Sequence, residues 1–270
     1  MLRRTSYFLC LAVIVGLLGS ANTVRADAVL DYSAATGVTT DGSGNVTQWN
    51  DTAGVADNAT GATGPLLTTA SINGFTKPVL RFDGTDVLGA TTTVPSAGTV
   101  FLVFNNTDGG GAERRLIGWD DSSAGSEGVG ISDNLNGAII RHPSNPSSDM
   151  LFLEAGPGAA FEIWGVSWGA GGGNLYKDRA GDVTLYTNAS TGGSDGTLPL
   201  QIGGPGSGAS GKWIGDLAAL QAHDTQLSNP DMLTQMGVLR NTWFVPEPSA
   251  LVLLSMGLVG LVCSAWRKRR

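Results

Sequence analysis

Pro78-Val79-Leu80-Arg81-Phe82-Asp83-Gly84 is the stretch from which the fold is read. In an extended chain successive side chains point to opposite faces, so Arg81 and Phe82 look to opposite sides of a strand. Asp83-Gly84 then turns the chain out of it. The same alternation recurs at Val46 to Trp49, Thr99 to Phe104, Arg115 to Trp119, Gly128 to Ser132 and Ala138 to Arg141. Further on it returns at Met150 to Leu153, Phe161 to Trp168, Val183 to Thr187 and Asp216 to Ala222. Gly, Pro, Asn and Asp stand between these runs and form turns. Many short strands at such spacing predict a sandwich or a barrel. Two sheets about 10 Å apart are expected to bury Phe82, Phe101, Val103, Ile117, Ile163 and Val166 between them. The glycine runs 109–111, 169–173 and 203–210 read as long hairpin loops. Only Asn229 to Trp243 follows helical spacing, through Leu233, Met236, Leu239 and Arg240, with Ser228 as N-cap and Pro230 in the first turn.

Trp49-Asn50-Asp51, Asp57-Asn58-Ala59, Ile72-Asn73-Gly74 and the stretch from Pro78 to Gly84 come in an order that resembles the start of a laminin-G-like, concanavalin-A-like jelly roll. Gly215-Asp216-Leu217-Ala218, Asp224, Leu227-Ser228 and the helix ending at Trp243 resemble the closing strand and helix of that family. The resemblance implies an all-β, two-sheet antiparallel β-sandwich with one short C-terminal helix, over residues 27–245. Ala219 and His223 stand where the family commonly has Glu and Tyr.

The two ends read differently. Arg3 and Arg4 precede an apolar run from Tyr7 to Leu18, and Val24-Arg25-Ala26 offers a small-residue site, so residues 1–26 are expected to form a secretion-signal helix cleaved after Ala26. The general secretion machinery is the expected route. At the other end Pro246-Glu247-Pro248 precedes an apolar stretch from Ala250 to Ala265, and Arg267-Lys268-Arg269-Arg270 follows. As a transmembrane helix the stretch spans only about 24 Å, and the terminal cations hold its end in the cytoplasm. These three parts, over residues 246–270, resemble the PEP-CTERM sorting signal. That resemblance implies an exosortase that removes the tail, an inner-membrane intermediate, and a product at the surface or in the extracellular matrix of a Gram-negative bacterium.

Between the ends the chain carries nine Lys and Arg against 22 Asp and Glu, a net charge near −13. Such a surface repels phosphates and anionic headgroups, so no nucleic-acid partner is expected, and membrane contact is through the C-terminal helix alone. Both cysteines, Cys10 and Cys263, lie in the removable ends, leaving no disulfide and no thiol nucleophile between them.

Catalytic groups are sparse. Glycoside hydrolysis needs two carboxylates about 5 to 9.5 Å apart. The concanavalin-like glucanases carry Glu, Asp and Glu on alternate positions of one strand, and the best counterpart, Glu162-Ile163-Trp164, has Trp164 in place of the Asp. Neither His142 nor His223 lies in a motif for zinc or for a nucleophile. The chain is expected not to be an enzyme. No cofactor is implied apart from calcium, for which Asp83, Asp86, Asp120 and Asp121 are the candidate ligands. Trp119 beside Asp120, and His142 with Asn145, are the candidate contacts for a carbohydrate, since an aromatic face and nearby polar groups suit a sugar. Trp119, Trp164, Trp168 and Trp213 are each also core candidates. The expected role is a non-catalytic binding or adhesion module for extracellular polysaccharide or a surface protein. The alternative is a structural matrix protein without a defined site, and a divergent glycoside hydrolase is the third reading.

Overall fold

The computed structural model describes residues 28–54, 57–93, 97–107, 114–119, 128–132, 137–141, 150–152, 160–179, 181–188, 199–204 and 211–245. Both terminal segments lie outside these residues, so the signal helix, Ala26, Pro246, Glu247, Pro248 and the basic cluster Arg267 to Arg270 have no structural counterpart here. Among the described residues no helix is long and apolar enough to cross a membrane.

Two sheets and one helix make up the described fold. The first sheet runs in the order β15 (Asp182–Asn188), β14 (Gly172–Arg179), β13 (Glu162–Gly169), β8 (Gly98–Asn106), β18 (Ile214–His223), β6 (Phe75–Asp83) and β5 (Leu66–Ile72). Strand β1 (Leu30–Ser33) joins the far half of β18. The second sheet runs β12 (Met150–Phe152), β11 (Gly137–Arg141), β10 (Gly128–Ser132), β9 (Arg114–Trp119), β16 (Pro199–Ile202), β7 (Leu88–Thr93), β4 (Ala59–Thr60), β3 (Val46–Trp49) and β2 (Val38–Thr40). Among the described strands only β17 (Gly211–Lys212) pairs in parallel, on β9. The architecture is the two-sheet sandwich with one short helix that the sequence predicts.

Helix α1 (Asn229–Trp243) starts at Ser228, whose hydroxyl accepts the Asp231 amide. Its buried side is Met232, Gln235, Met236, Leu239 and Trp243, which lies on β13 and β8. Leu233, expected on that side, is 47% exposed, because the helix meets the sheet one residue round from the expected stripe.

The helix covers the outer face of the first sheet, so its central strands are apolar on both sides and lose their alternation. Every residue of β13 is buried, as are the first seven of β8. This corrects the expected core. A Cβ on Gly165 would meet Phe101 and Met232, which puts Ile163, Gly165 and Phe101 under the helix. By the same two-residue period Val103 lies there too. Phe82, Ile117 and Val166 point between the sheets, and all six are buried.

Glycines 169–173 do not form a long loop. Gly169 pairs directly with Gly172, leaving Ala170-Gly171 as a two-residue turn, with Gly172 at φ 101°. Of the other two runs, 109–111 and 205–210 lie outside the described residues.

Candidate functional site

Three turns at one end of the second sheet enclose a cleft of about 270 Å³, lined mainly by Asp41, Asn45, Thr47, Thr63, Thr85 and Asp86 over a floor that includes Val46. The first turn links β2 to β3. Asp41 holds it by accepting the Ser43 amide at 2.8 Å, the Asn45 amide at 2.9 Å and the Asn45 side-chain amide at 3.1 Å. These bonds, led by the one from the Asn45 side chain, keep the exposed Asp41 carboxyl below its ordinary range. The second wall is the link from β4 to β5, where the backbones approach too closely for any side chain. A Cβ on Gly64 would fall 1.7 Å from the Val46 carbonyl oxygen, and one on Gly61 2.2 Å from that of Val87.

The third wall is the turn after β6. Asp83 accepts the Thr85 amide at 2.8 Å and its hydroxyl at 2.6 Å, while Asp86 accepts the Asp83 amide at 3.0 Å. Lys212 closes the turn by donating to the Thr85 carbonyl at 2.7 Å. Burial pushes the Asp86 carboxyl up, and the neighbouring Asp83 carboxylate adds to it. The Thr85 hydroxyl and amide hold Asp83 down.

The sequence-derived candidates are only partly brought together. Asp83 and Asp86 share this turn, with Asp86 on the cleft. Asp120, Asp121, His142 and Asn145 lie outside the described residues. Trp119 is the last residue of β9, opposite Leu200, and its side chain is likewise outside them. Among the described residues no group of three or more His, Cys, Asp or Glu side chains is placed to hold a metal. Sequence reasoning missed Asp41, Asn45, Thr47 and Thr63; the signal for the first two was Asp41-Gly42-Ser43-Gly44-Asn45, a run built only of turn formers.

Glu162 sits in a closed environment. It is 1% exposed, accepts the Trp164 indole N–H at 2.9 Å and faces Lys177 at 3.4 Å, with Arg179 on its other oxygen. Burial lowers the Lys177 ammonium pKa, against the pull of Glu162.

The residues that carry the family resemblance serve the fold. Asp51 accepts the amides of Asp31 and Ala53, and Asn73-Gly74 makes the two-residue turn between β5 and β6 at φ 50° and 85°. Arg81 forms a two-bond pair with Asp216 at 2.7 and 3.0 Å.

The described residues thus form a sandwich with a polar rim cleft, and comparison with known proteins gives it a setting. Residues 244–270 match the family model described as the PEP-CTERM protein-sorting motif. That motif implies export, cell-surface sorting and processing by an exosortase. Among curated proteins none matches the sequence. In structure the chain is similar to a Trypanosoma rangeli sialidase in complex with sialic acid, at 16% identity and a TM-score of 0.52, over 82% of this chain and 34% of that one. It is also similar to the receptor-binding domain of botulinum neurotoxin type G, at 12% identity and a TM-score of 0.51, over 82% of this chain and 54% of that one. The chain thus spans about a third of the sialidase and about half of the toxin domain. At such identities the likeness concerns the fold.

Proposed function

We propose that this is an exported surface or matrix protein, cleaved after Ala26 and again at its tail, whose laminin-G-like sandwich is a non-catalytic module that binds a hydroxyl-rich ligand, a carbohydrate first of all. The observation that carries the reading is the rim cleft. Its walls are fixed by turn hydrogen bonds and close backbone packing, and it presents carboxylate, amide and hydroxyl groups together. A preformed polar cleft lets a sugar exchange water for directed hydrogen bonds at little ordering cost.

The non-catalytic part rests on how the carboxylates are engaged. Asp41 accepts three hydrogen bonds from its own turn, through both of its oxygens. Glu162 is surrounded by Trp164, Lys177 and Arg179 away from solvent. Sialic acid in the sialidase and the receptor of the neurotoxin domain belong to those proteins, and they motivate including sialylated glycans among the ligands tried.

A glycan array probed with the mature chain, with and without calcium, tests the reading. Binding that is lost in Asn45→Ala and Asp86→Asn supports it. Binding that persists in both variants moves the site to Trp119, Asp120, His142 and Asn145. The second reading, a structural matrix protein, is favoured by the finding that no described aromatic side chain is exposed, Phe75 and Tyr186 being half-buried. An array with no binding in either condition decides for it.

A further inference from the structure

Helix α1 ends on a fixed point. Trp243 and Phe244, its last residue and its cap, are 2% and 5% exposed. The Phe244 amide closes the final turn on the Arg240 carbonyl at 2.8 Å, and Arg240 donates to the buried carboxylate of Asp178 on β14 at 2.6 Å. From the turn between β5 and β6, Asn73 Nδ2 donates to the Phe244 carbonyl at 2.9 Å. The sorting motif starts at once: Pro246 is the second residue after Phe244.

A peptide held in a protease cleft is extended, and an extended residue spans at most about 3.5 Å. Val245 and Pro246 therefore reach only about 7 Å from the last anchored residue. An enzyme that grips the chain on both sides of a bond near Pro246-Glu247-Pro248 meets the β5–β6 turn and the end of α1 before it has enough free chain.

We infer that Asn73, Trp243 and Phe244 form a latch on the sorting tail, so that tail removal waits on opening of the last turn of α1. The idea rests on reading residues 246–270 as a processed tail. The Asn73 amide is the part of the latch that can be removed most cleanly. Asn73 already has a positive φ, so Asn73→Gly keeps the turn while deleting the hydrogen bond to Phe244. A flexible Gly-Ser spacer of about six residues between Val245 and Pro246 adds roughly 20 Å of reach and leaves the latch intact.

The experiment compares the full chain, its Asn73→Gly variant and the spacer variant. Each is pulse-labelled in an exosortase-bearing host, and tail loss is followed by intact mass. In parallel each purified full chain is treated with a soluble proline-specific endoprotease, and tail loss is timed again. Thermal melting confirms that the variants are folded. The latch predicts faster loss from both variants in both assays, by about fivefold for Asn73→Gly, the equilibrium weight of one hydrogen bond, and by more for the spacer. Equal host rates for all three chains overturn it. If the host leaves all three unprocessed, the exosortase reading falls and the endoprotease rates decide the latch, equal rates again overturning it.

Discussion

The Asp57 carboxylate accepts the Thr91 amide at 2.9 Å, the Thr91 hydroxyl at 2.8 Å and the Thr92 amide, and so ties the approach to β4 onto β7. Burial by itself raises the pKa of this group, but the bonds from Thr92 and Thr91 outweigh it and hold the carboxyl below its ordinary range. Between that lowered value and the ordinary Asp value near ~3.9, the unfolded chain binds the proton and the folded chain does not. The stabilisation is therefore complete above this window and is lost as pH falls through the folded value. Asp57→Asn is expected to cost about 1–3 kcal/mol in urea unfolding at neutral pH, since one amide or hydroxyl loses its acceptor. The difference from the parent chain should shrink below the window; a constant difference would mean that charge is not its source. Glu162 makes the second residue-level case. Glu162→Leu removes the carboxylate that Trp164, Lys177 and Arg179 all address, and is expected to cost about 3 kcal/mol or more. Lys177→Met leaves two of those contacts in place and its methionine fills apolar space beside Trp164, so it should cost less in the same assay. Neither effect is visible in the sequence, where Glu162 is one acid beside Ile163, because its partners stand 15 and 17 residues further on, on β14.

Helix α1 docks by a notch. Gly165 leaves room under the helix for the end of Met232, and an added Cβ would come within 3.0 Å of the Met232 methyl and 2.9 Å of the Phe101 ring. The methyl can swing away but the ring is fixed in the sheet, so Gly165→Ala is expected to cost about 1–2 kcal/mol and Gly165→Val more. Met232→Leu, shorter at its tip, should recover part of the Gly165→Ala loss; purely additive melting shifts would show that the two do not share the notch. At this scale the legible and illegible parts separate by a physical rule. Val46–Trp49 and Gly128–Ser132 have the bounds that alternation and turn formers assign, and the Ser228 cap and Asn229–Trp243 helix are as read, because caps and turns are local chemistry. Strand β14 escaped notice because Gly172 and Gly173 mask its start and the charges of Lys177, Asp178 and Arg179 break its apolar alternation. Their charges meet opposite charges across the sheet and on the helix, at Glu162 and Arg240. Strand β5 was missed for the opposite reason: as an edge strand with half-exposed Thr and Ala it lacks a buried stripe. The cleft was half legible. Asp86 stood out as a carboxylate near a turn, but its union with Asp41 and Asn45 depends on β4 and β5 bringing distant turns together.

For the whole molecule, the decisive feature is where the core ends. The sandwich closes on Trp243 and Phe244, the last two residues of the described core. The chain truncated after Val245 is accordingly expected to melt at the same temperature as the full-length chain in detergent. Truncation after Thr242 removes two buried aromatic side chains and the acceptor for Asn73. Large-to-small changes of that kind cost about 3–5 kcal/mol each when buried, and for a domain of this size each kcal/mol is worth about 2–4 °C. The shorter chain should therefore melt on the order of 10 °C or more below the longer one. Calorimetry on the two truncations reads the difference directly. The same boundary constrains what processing can release: a product trimmed anywhere beyond Val245 keeps the full stability of the domain, whereas one trimmed into α1 does not. Intact mass of the native extracellular product should thus place its C-terminus at or after Val245. A mature product ending before Phe244 and melting like the longer chain would show that the core closes elsewhere.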